Sequence, residues 1–363
     1  MESKQPVVLI APLNWGLGHA TRCIPLIRAM QNNNFQPILC GNGASFHLLK
    51  REFPHMKSFQ LPDYNVTYPK YSRSFTLKFI AQLPAFLSSV KKDQKALRSI
   101  AKQTLPKLII SDNRYGFRLK HIRSILITHQ IQPIIPKSLR WLKKMIYRQL
   151  FSMMSDFHEI WVPDFEFPPD LSGQLSHQTS FHGKVKYCGP LSRFQSNHHH
   201  ENDILFDILV IISGPEQFRS QFENQCLTLA LKTDKKVCII AGRPLHNDSY
   251  ISSNLTYFSH LNSEQMEHHI LHSDVIITGA GYSSIMDMFI LNKQALIVPT
   301  PGQTEQEYLA DYHSGKGLFL KFNPESDHLE TAIQQLKQQK VHIGQQHQNF
   351  LNELILNLKK LFL

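Results

Sequence analysis

The sequence predicts an α/β protein of two domains, and three observations carry that expectation. Between Ser273 and Ala310, short apolar runs alternate with helix-period runs in the order strand, turn, helix, strand, loop, helix, which is a βαβ unit. At 363 residues the chain is long for one core and comfortable for two. A polar stretch from Gln195 to Asp203, carrying His198-His199-His200, separates two halves that both read as strands alternating with helices. The expected boundaries are a first domain at 1–190, a linker at 191–204, a second domain at 205–342 and a terminal helix within 343–363.

Composition narrows the class. A hydrophobic content of 42% fits a soluble globular protein. The five cysteines (Cys23, Cys40, Cys188, Cys226, Cys238) are odd in number and form no C-x-x-C pair, so neither a disulfide framework nor a zinc site is expected, and a reducing cytoplasm fits. The apolar run Val7 to Leu13 is too short to span a bilayer and contains Pro12, so it reads as the first strand. The three adjacent histidines read as solvated linker, because successive loop residues rarely converge on one ion. The net charge of +11 hides an asymmetry: residues 1–150 carry 24 Lys/Arg against 5 Asp/Glu, a net of +19, and residues 151–363 carry 15 against 23, a net of −8. So basic a half suggests an anionic partner, either phospholipid headgroups or nucleic acid.

Chemistry concentrates in the βαβ unit. After the strand at Val275 to Ile277, the turn Gly279-Ala280-Gly281-Tyr282-Ser283-Ser284 opens a helix. Backbone N–H groups at such a helix start favour an anion such as a diphosphate. Asp287, on the first turns of that helix, offers a carboxylate to sugar hydroxyls. Gln306 and Glu307 open the next helix, beyond Ala295 to Val298, and can do the same.

This pattern resembles the donor site of family 28 glycosyltransferases: Thr278-Gly279-Ala280-Gly281, an acid six residues after Gly281, Val298-Pro299, and a Gln/Glu pair before Tyr308. The acid here is Asp287 where the family more often has Glu, and Asn292-Lys293-Gln294 stands where it usually has Gly-x-Pro. The resemblance implies the GT-B architecture, two Rossmann-like α/β domains facing across a cleft. It implies that Asp287 binds the nucleotide ribose, that Gln306 and Glu307 read the sugar, and that Arg193, in Gly189-Pro190-Leu191-Ser192-Arg193, reaches the donor diphosphate. Ser213 and Gly214, after the strand Asp207 to Ile212, join them as phosphate or nucleotide contacts, with Pro215 the first helical residue beyond. Lys236 to Ala241 is the second strand of this domain. Gln345 to Leu363 reads as a helix of the kind that in GT-B enzymes often crosses back to the first domain.

In the first domain, the strand Pro6 to Leu13 runs into Asn14-Trp15-Gly16-Leu17-Gly18-His19 and a helix. A dinucleotide fingerprint would need a third glycine where Thr21 stands, and an acid ending the second strand, which instead runs Pro37 to Cys40 into Gly41-Asn42-Gly43. The family has a Gly-rich loop ending in His at this position, so the resemblance makes His19 the candidate catalytic base. An imidazole suits that task near neutral pH. Its ordinary alternative is a helix-start histidine bonded to backbone. The strands Lys107 to Ser111 and Ser124 to Thr128 end in Asp112-Asn113-Arg114 and His129-Gln130, at strand ends where α/β sheets bind ligands. With Asn14, Gly16 and Gly18 these five residues are expected on the acceptor side, the alternative being turn formation. Two basic amphipathic segments follow the interfacial pattern. One spans Phe75 to Val90, with Phe79, Leu83, Phe86 and Leu87 on its stripe and Lys91 and Lys92 after it. The other spans Ser138 to Met154, with Leu139, Leu142, Ile146, Leu150 and Met153 on one stripe, Arg140, Lys144 and Arg148 on another, and Lys137 and Lys143 nearby.

The expectation is an inverting, metal-independent hexosyltransferase. It would move a sugar, N-acetylglucosamine from a UDP-sugar by family resemblance, to an unidentified acceptor, lipid-linked if the basic half meets a membrane. No cofactor is expected, the nucleoside-diphosphate sugar being a substrate. The location expected is cytoplasmic, peripheral on the inner membrane face. The rivals are a sugar-nucleotide epimerase of the same architecture and a non-catalytic sugar-nucleotide-binding protein. Nucleic-acid binding has only charge in its favour, with no helix-turn-helix, zinc or RNA-recognition signature.

Overall fold

A computed structural model describes residues 5–64, 75–177, 181, 183–194, 203–214, 216–339 and 350–362. The histidine run 198–200, Pro215, residues 345–349 and the side chains of Phe75, Phe79, Leu83, Lys137 and Ser138 lie outside what is described. The chain divides into two compact units, one of residues 1–14, 19–191 and 347–363, the other of residues 15–18 and 192–346.

In the first unit, β1 (Val7–Pro12), β2 (Gln36–Gly41), β3 (Ser58–Gln60), β4 (Leu108–Asp112), β5 (Arg123–Ile127), β6 (Glu159–Val162) and β7 (Val185–Tyr187) form one sheet in the order β3-β2-β1-β4-β5-β6-β7. Every neighbouring pair is parallel. A parallel sheet is covered on both faces, which is why β1 reads VVLIAP with no polar alternation and is buried from Val8 onward. The helices are α1 (Gly18–Asn32), α2 (Gly43–Glu52), α3 (Phe75–Thr104) and α4 (Lys143–Ser155). Leu97, Ile100 and Ala101 of α3 pack on Leu9, Ile38 and Ile109 of the central strands.

The helix expected over 138–154 is divided. A 3-10 turn, Lys137–Leu142, follows Pro136, and α4 starts only at Lys143. Tight turns of this kind are frequent at α-helix starts. Its apolar stripe faces the protein, with Leu139 and Met153 buried, and leaves Trp141 (77% exposed) and Met145 (52%) outward among the exposed Arg140, Lys143, Lys144 and Arg148.

The second unit has β8 (Phe206–Ile211), β9 (Val237–Ile240), β10 (Ser249–Ser252), β11 (Leu255–Phe258), β12 (Ser273–Gly279), β13 (Ala295–Val298) and β14 (Phe319–Lys321) in the order β10-β11-β9-β8-β12-β13-β14. Only the edge pair β10–β11 is antiparallel among the described strands. Around this sheet lie α5 (Glu216–Ala230), α6 (Ser263–Leu271), α7 (Tyr282–Ile290), α8 (Thr304–His313) and α9 (Leu329–Gln338). α6 starts where Asn262 and Gln265 form a reciprocal capping box, Asn262 Oδ1 accepting from the Gln265 N–H at 2.8 Å. The last helix, α10 (Phe350–Lys359), belongs to the first unit, where the Phe350 ring meets Phe165 edge-on at 6.2 Å.

Candidate functional site

Strand order locates the candidate residues. In the first sheet the chain runs outward from β1 through β2 to β3 and then starts again at β4 on the other side of β1. In the second it runs outward from β8 and starts again at β12. Each break is a topological switch point, where the two diverging connections leave a crevice at the carboxyl ends of the strands. His19 follows β1 and Asp112 ends β4; Ser213 and Gly214 follow β8, and Gly279 to Ser284 close β12 and open α7.

In the first unit the switch point holds a polar network. His19, with 14% of its side chain exposed, places Nδ1 2.8 Å from Oδ1 of the buried Asp112. Arg22, one turn along α1 and only 2% exposed, holds both Asp112 oxygens through Nε and Nη2. Its Nη1 lies 3.2 Å from His129 Nδ1, and its Nη2 lies 2.7 Å from His19 Nδ1. Burial alone would raise the Asp112 carboxyl, but Arg22 and then His19 outweigh it and lower it to about 2. An ionised Asp112 only accepts, so the network assigns the His19 proton to Nδ1 and the lone pair to Nε2. Arg22 has no acceptor and cannot share that proton, so its Nη2 donates to the carboxylate.

Several residues expected on the acceptor side do other work. Asp112 is wholly buried and orients His19. Arg114 is also wholly buried: Nε and Nη2 form a two-pronged pair with Asp93 of α3 at 3.0 and 2.6 Å, Nη1 donates to Asn42 Oδ1 at 2.8 Å, and Nη2 also reaches Pro62 O. That arginine ties α3 to the loops after β2 and β3 and is a structural group. His129 is 4% exposed and faces Arg22, with Gln130 Nε2 3.5 Å from its Nε2. Asn14 Oδ1 accepts from the Ser45 N–H at 3.3 Å, inside the first turn of α2. Gly16, at φ +83°, needs the left-handed region, and Gly18 begins α1. Asn113, at φ +55°, carries a buried Oδ1 without a hydrogen-bond partner among the described residues.

In the second unit, Gly281 is the N-cap of α7 and no side chain caps it, and a helix start of this kind favours an anion. Ala280 and Tyr282 are buried, while Gly279, Ser283 and Ser284 are partly open. Gly214 sits at φ +109°, a conformation that a Cβ would strain. Asp287 is 8% exposed and accepts from Ser192 Oγ at 2.6 Å. Burial raises its carboxyl to about 6 although Arg193 and Ser192 both favour the charged form. The Arg193 guanidinium lies 4.8 Å from the Phe194 ring centre. Gln306 and Glu307 brace their own loop: Gln306 Oε1 accepts from the Thr300 N–H and Glu307 Oε1 from the Gly302 N–H, each at 2.9 Å.

Reading along the chain missed Arg22 and Ser192. Arg22 stands one turn after His19 on the face of α1 that buries Cys23, Leu26 and Met30, and a cation on a buried face was the signal. Ser192 differs from other loop serines in sequence only by preceding Arg193. One cluster has metal-ligand composition: Asp164, Asp170 and His177, whose ligand atoms lie within 4.8 Å of one another. Asp164 spends its oxygens on the N–H groups of Phe165, Leu171 and Ser172 at 2.8 to 2.9 Å, so this cluster shapes a loop.

Residues 208–360 match the model of the glycosyltransferase family 28 C-terminal domain. No curated protein sequence matches the chain. Among solved structures it is similar to the glycotransferase of kitacinnamycin, at 14% identity and a TM-score of 0.63 over 99% of this chain and 95% of that one. It is similar also to Phytolacca americana UGT2, solved with UDP-2-fluoroglucose and pterostilbene, at 13% identity and a TM-score of 0.55 over 99% and 94%. A third likeness is to the spinosyn rhamnosyltransferase SpnG with thymidine diphosphate, at 12% identity and a TM-score of 0.56 over 98% and 95%. These likenesses give the fold, two α/β units of GT-B type. The matched stretch, residues 208–360, lies largely in the second unit and is similar to the C-terminal domain of family 28 glycosyltransferases.

Proposed function

We propose that the protein is an inverting glycosyltransferase that moves a hexose from a nucleoside-diphosphate sugar to the hydroxyl of an amphiphilic or lipid-linked acceptor. Family resemblance favours N-acetylglucosamine on UDP. The observation that carries the reading is the occupation of both switch points, by a His–Asp pair in one unit and by an uncapped helix start with a nearby carboxylate in the other. Bound UDP-2-fluoroglucose and thymidine diphosphate in proteins of this fold support a nucleoside-diphosphate donor.

In this reading the diphosphate lies at the N-terminus of α7, with Ser213, Gly214 and Arg193 completing its contacts. Asp287 accepts from the ribose, and Gln306 and Glu307 face the sugar. His19 Nε2 takes the acceptor proton as that oxygen bonds the anomeric carbon, and the bond from this carbon to the diphosphate oxygen breaks in the same displacement. One displacement inverts the configuration. The charge gathering on the leaving diphosphate meets Arg193 and the α7 dipole.

A thermal-shift screen of nucleoside-diphosphate sugars tests the donor assignment. One or two of them stabilise the wild type, and Asp287→Ala loses the shift. A protein that none of them stabilises at millimolar concentration would not be a donor-binding enzyme.

No described helix is long and apolar enough to cross a membrane. For the acceptor side we assign membrane contact to the exposed Trp141 and Met145 with the four cations around them, since an indole and a thioether among cations suit an anionic headgroup layer. Trp141→Ala with Lys143→Glu and Lys144→Glu is expected to cut co-sedimentation with phosphatidylglycerol vesicles at low salt by about tenfold. Equal recovery of wild type with neutral and anionic vesicles would refute the contact.

A further inference from the structure

Asp287 and Ser192 lie 95 positions apart in sequence and meet in a single hydrogen bond, Ser192 Oγ to Asp287 Oδ1 at 2.6 Å. The same hydroxyl oxygen accepts the Phe194 N–H at 3.1 Å. With one lone pair committed to the backbone, the hydroxyl proton is directed to the carboxylate, so the pair has one geometry. Both residues are 8% exposed. Among the described residues this is the one hydrogen bond to the Asp287 carboxylate, and it uses Oδ1 alone. The charges facing the carboxylate are Arg193, which favours ionisation, and Glu267, which opposes it.

An aspartate ends one methylene, about 1.5 Å, short of a glutamate on the same backbone. A short carboxylate deep at a helix flank has few rotamers that both avoid its neighbours and face a ligand. We propose that Ser192 is a positioning residue for Asp287: its hydroxyl clamps Oδ1, which presents Oδ2 to the ribose hydroxyls of the donor and makes up for the missing reach of a glutamate. This rests on the reading of the second unit as a nucleoside-diphosphate-sugar site. It goes beyond that reading by giving the linker serine, along with the arginine beside it, a part in recognising the ribose.

The ionised carboxylate is the form that accepts two ribose hydroxyls. Because burial raises the Asp287 carboxyl to about 6, donor affinity should be flat above that pH and fall about tenfold per unit below it. The Ser192 O–H stabilises the ionised form, so its removal moves this midpoint upward, whereas a change in packing alone would leave it in place.

The experiment is calorimetric titration of the full chain with UDP and with its 2′,3′-dideoxy analogue between pH 5 and 8.5, for wild type, Ser192→Ala, Ser192→Thr and Asp287→Ala. Ser192→Ala is expected to weaken UDP by about 5- to 30-fold at pH 7 and to raise the midpoint by about one pH unit. It should leave the weaker dideoxy analogue unchanged, and Ser192→Thr should recover most of the loss. A Ser192→Ala protein with the wild-type midpoint, or one that weakens both nucleotides equally, overturns the positioning role while an intact Asp287→Ala effect preserves the donor site. Unchanged UDP binding in Asp287→Ala removes the ribose role of the acid and the proposal with it.

Discussion

His19→Ala is expected to slow sugar transfer by about 10²- to 10⁴-fold while the donor still binds with wild-type affinity. The reason lies in the network behind the imidazole. Asp112, ionised and buried, accepts from Nδ1 at 2.8 Å and thereby holds the tautomer whose Nε2 can take a proton. Asp112→Asn should come close to the same loss, since an amide can donate to Nδ1 and stabilise the tautomer that has no lone pair at Nε2. The two effects should not add, because both remove one base. Steady-state release of nucleoside diphosphate, with calorimetric donor binding as control, separates catalysis from binding. Unchanged turnover in His19→Ala would take the histidine out of the reaction.

The second large effect is on the fold. Arg114→Ala should destabilise the first unit by about 3–5 kcal/mol, because it strands the Asp93 carboxylate where its side chain is 0% exposed. The paired change Arg114→Met with Asp93→Leu should restore much of that loss, since apolar replacement of both partners removes the stranded charge. Urea unfolding at pH 7 measures both proteins. A single variant within 1 kcal/mol of wild type, on the scale of an ordinary surface substitution, would mean that the pair carries no net load.

The fold class was legible because parallel strands buried on both faces leave unbroken apolar runs such as Ile208 to Ile212 and Val275 to Ile277, set between helix-period segments. The start of α7 was legible for a related reason: glycines after a strand and before a helix have few other uses. What could not be read was which loop residue meets which across the sheet. Asp112 looked like a ligand at a strand end, yet it is the partner of His19, and the pairing becomes visible only once β1 and β4 are neighbours. Arg114 looked equally available. Its anchor, Asp93, is the single acid between Asp63 and Asp112 and sits in a lysine-rich helix, which was the one sequence sign of a buried pair. Which way the apolar stripe of 138–154 faces could not be read, because an amphipathic helix has the same period whether its apolar side faces lipid or core. Here the core takes Leu139 and Met153, while Trp141 and Met145 are exposed.

The central claim is acceptor-dependent transfer. Its most direct measurement is nucleoside-diphosphate release from the sugar nucleotide that binds best, with and without amphiphilic acceptors presented in anionic vesicles, in wild type and His19→Ala. Release is expected to require an acceptor, to give a product of inverted anomeric configuration, and to be lost with that product in the variant. Release of an altered free sugar without acceptor, or tight donor binding with no turnover under any acceptor, would contradict it and leave an epimerase or a binding protein in its place.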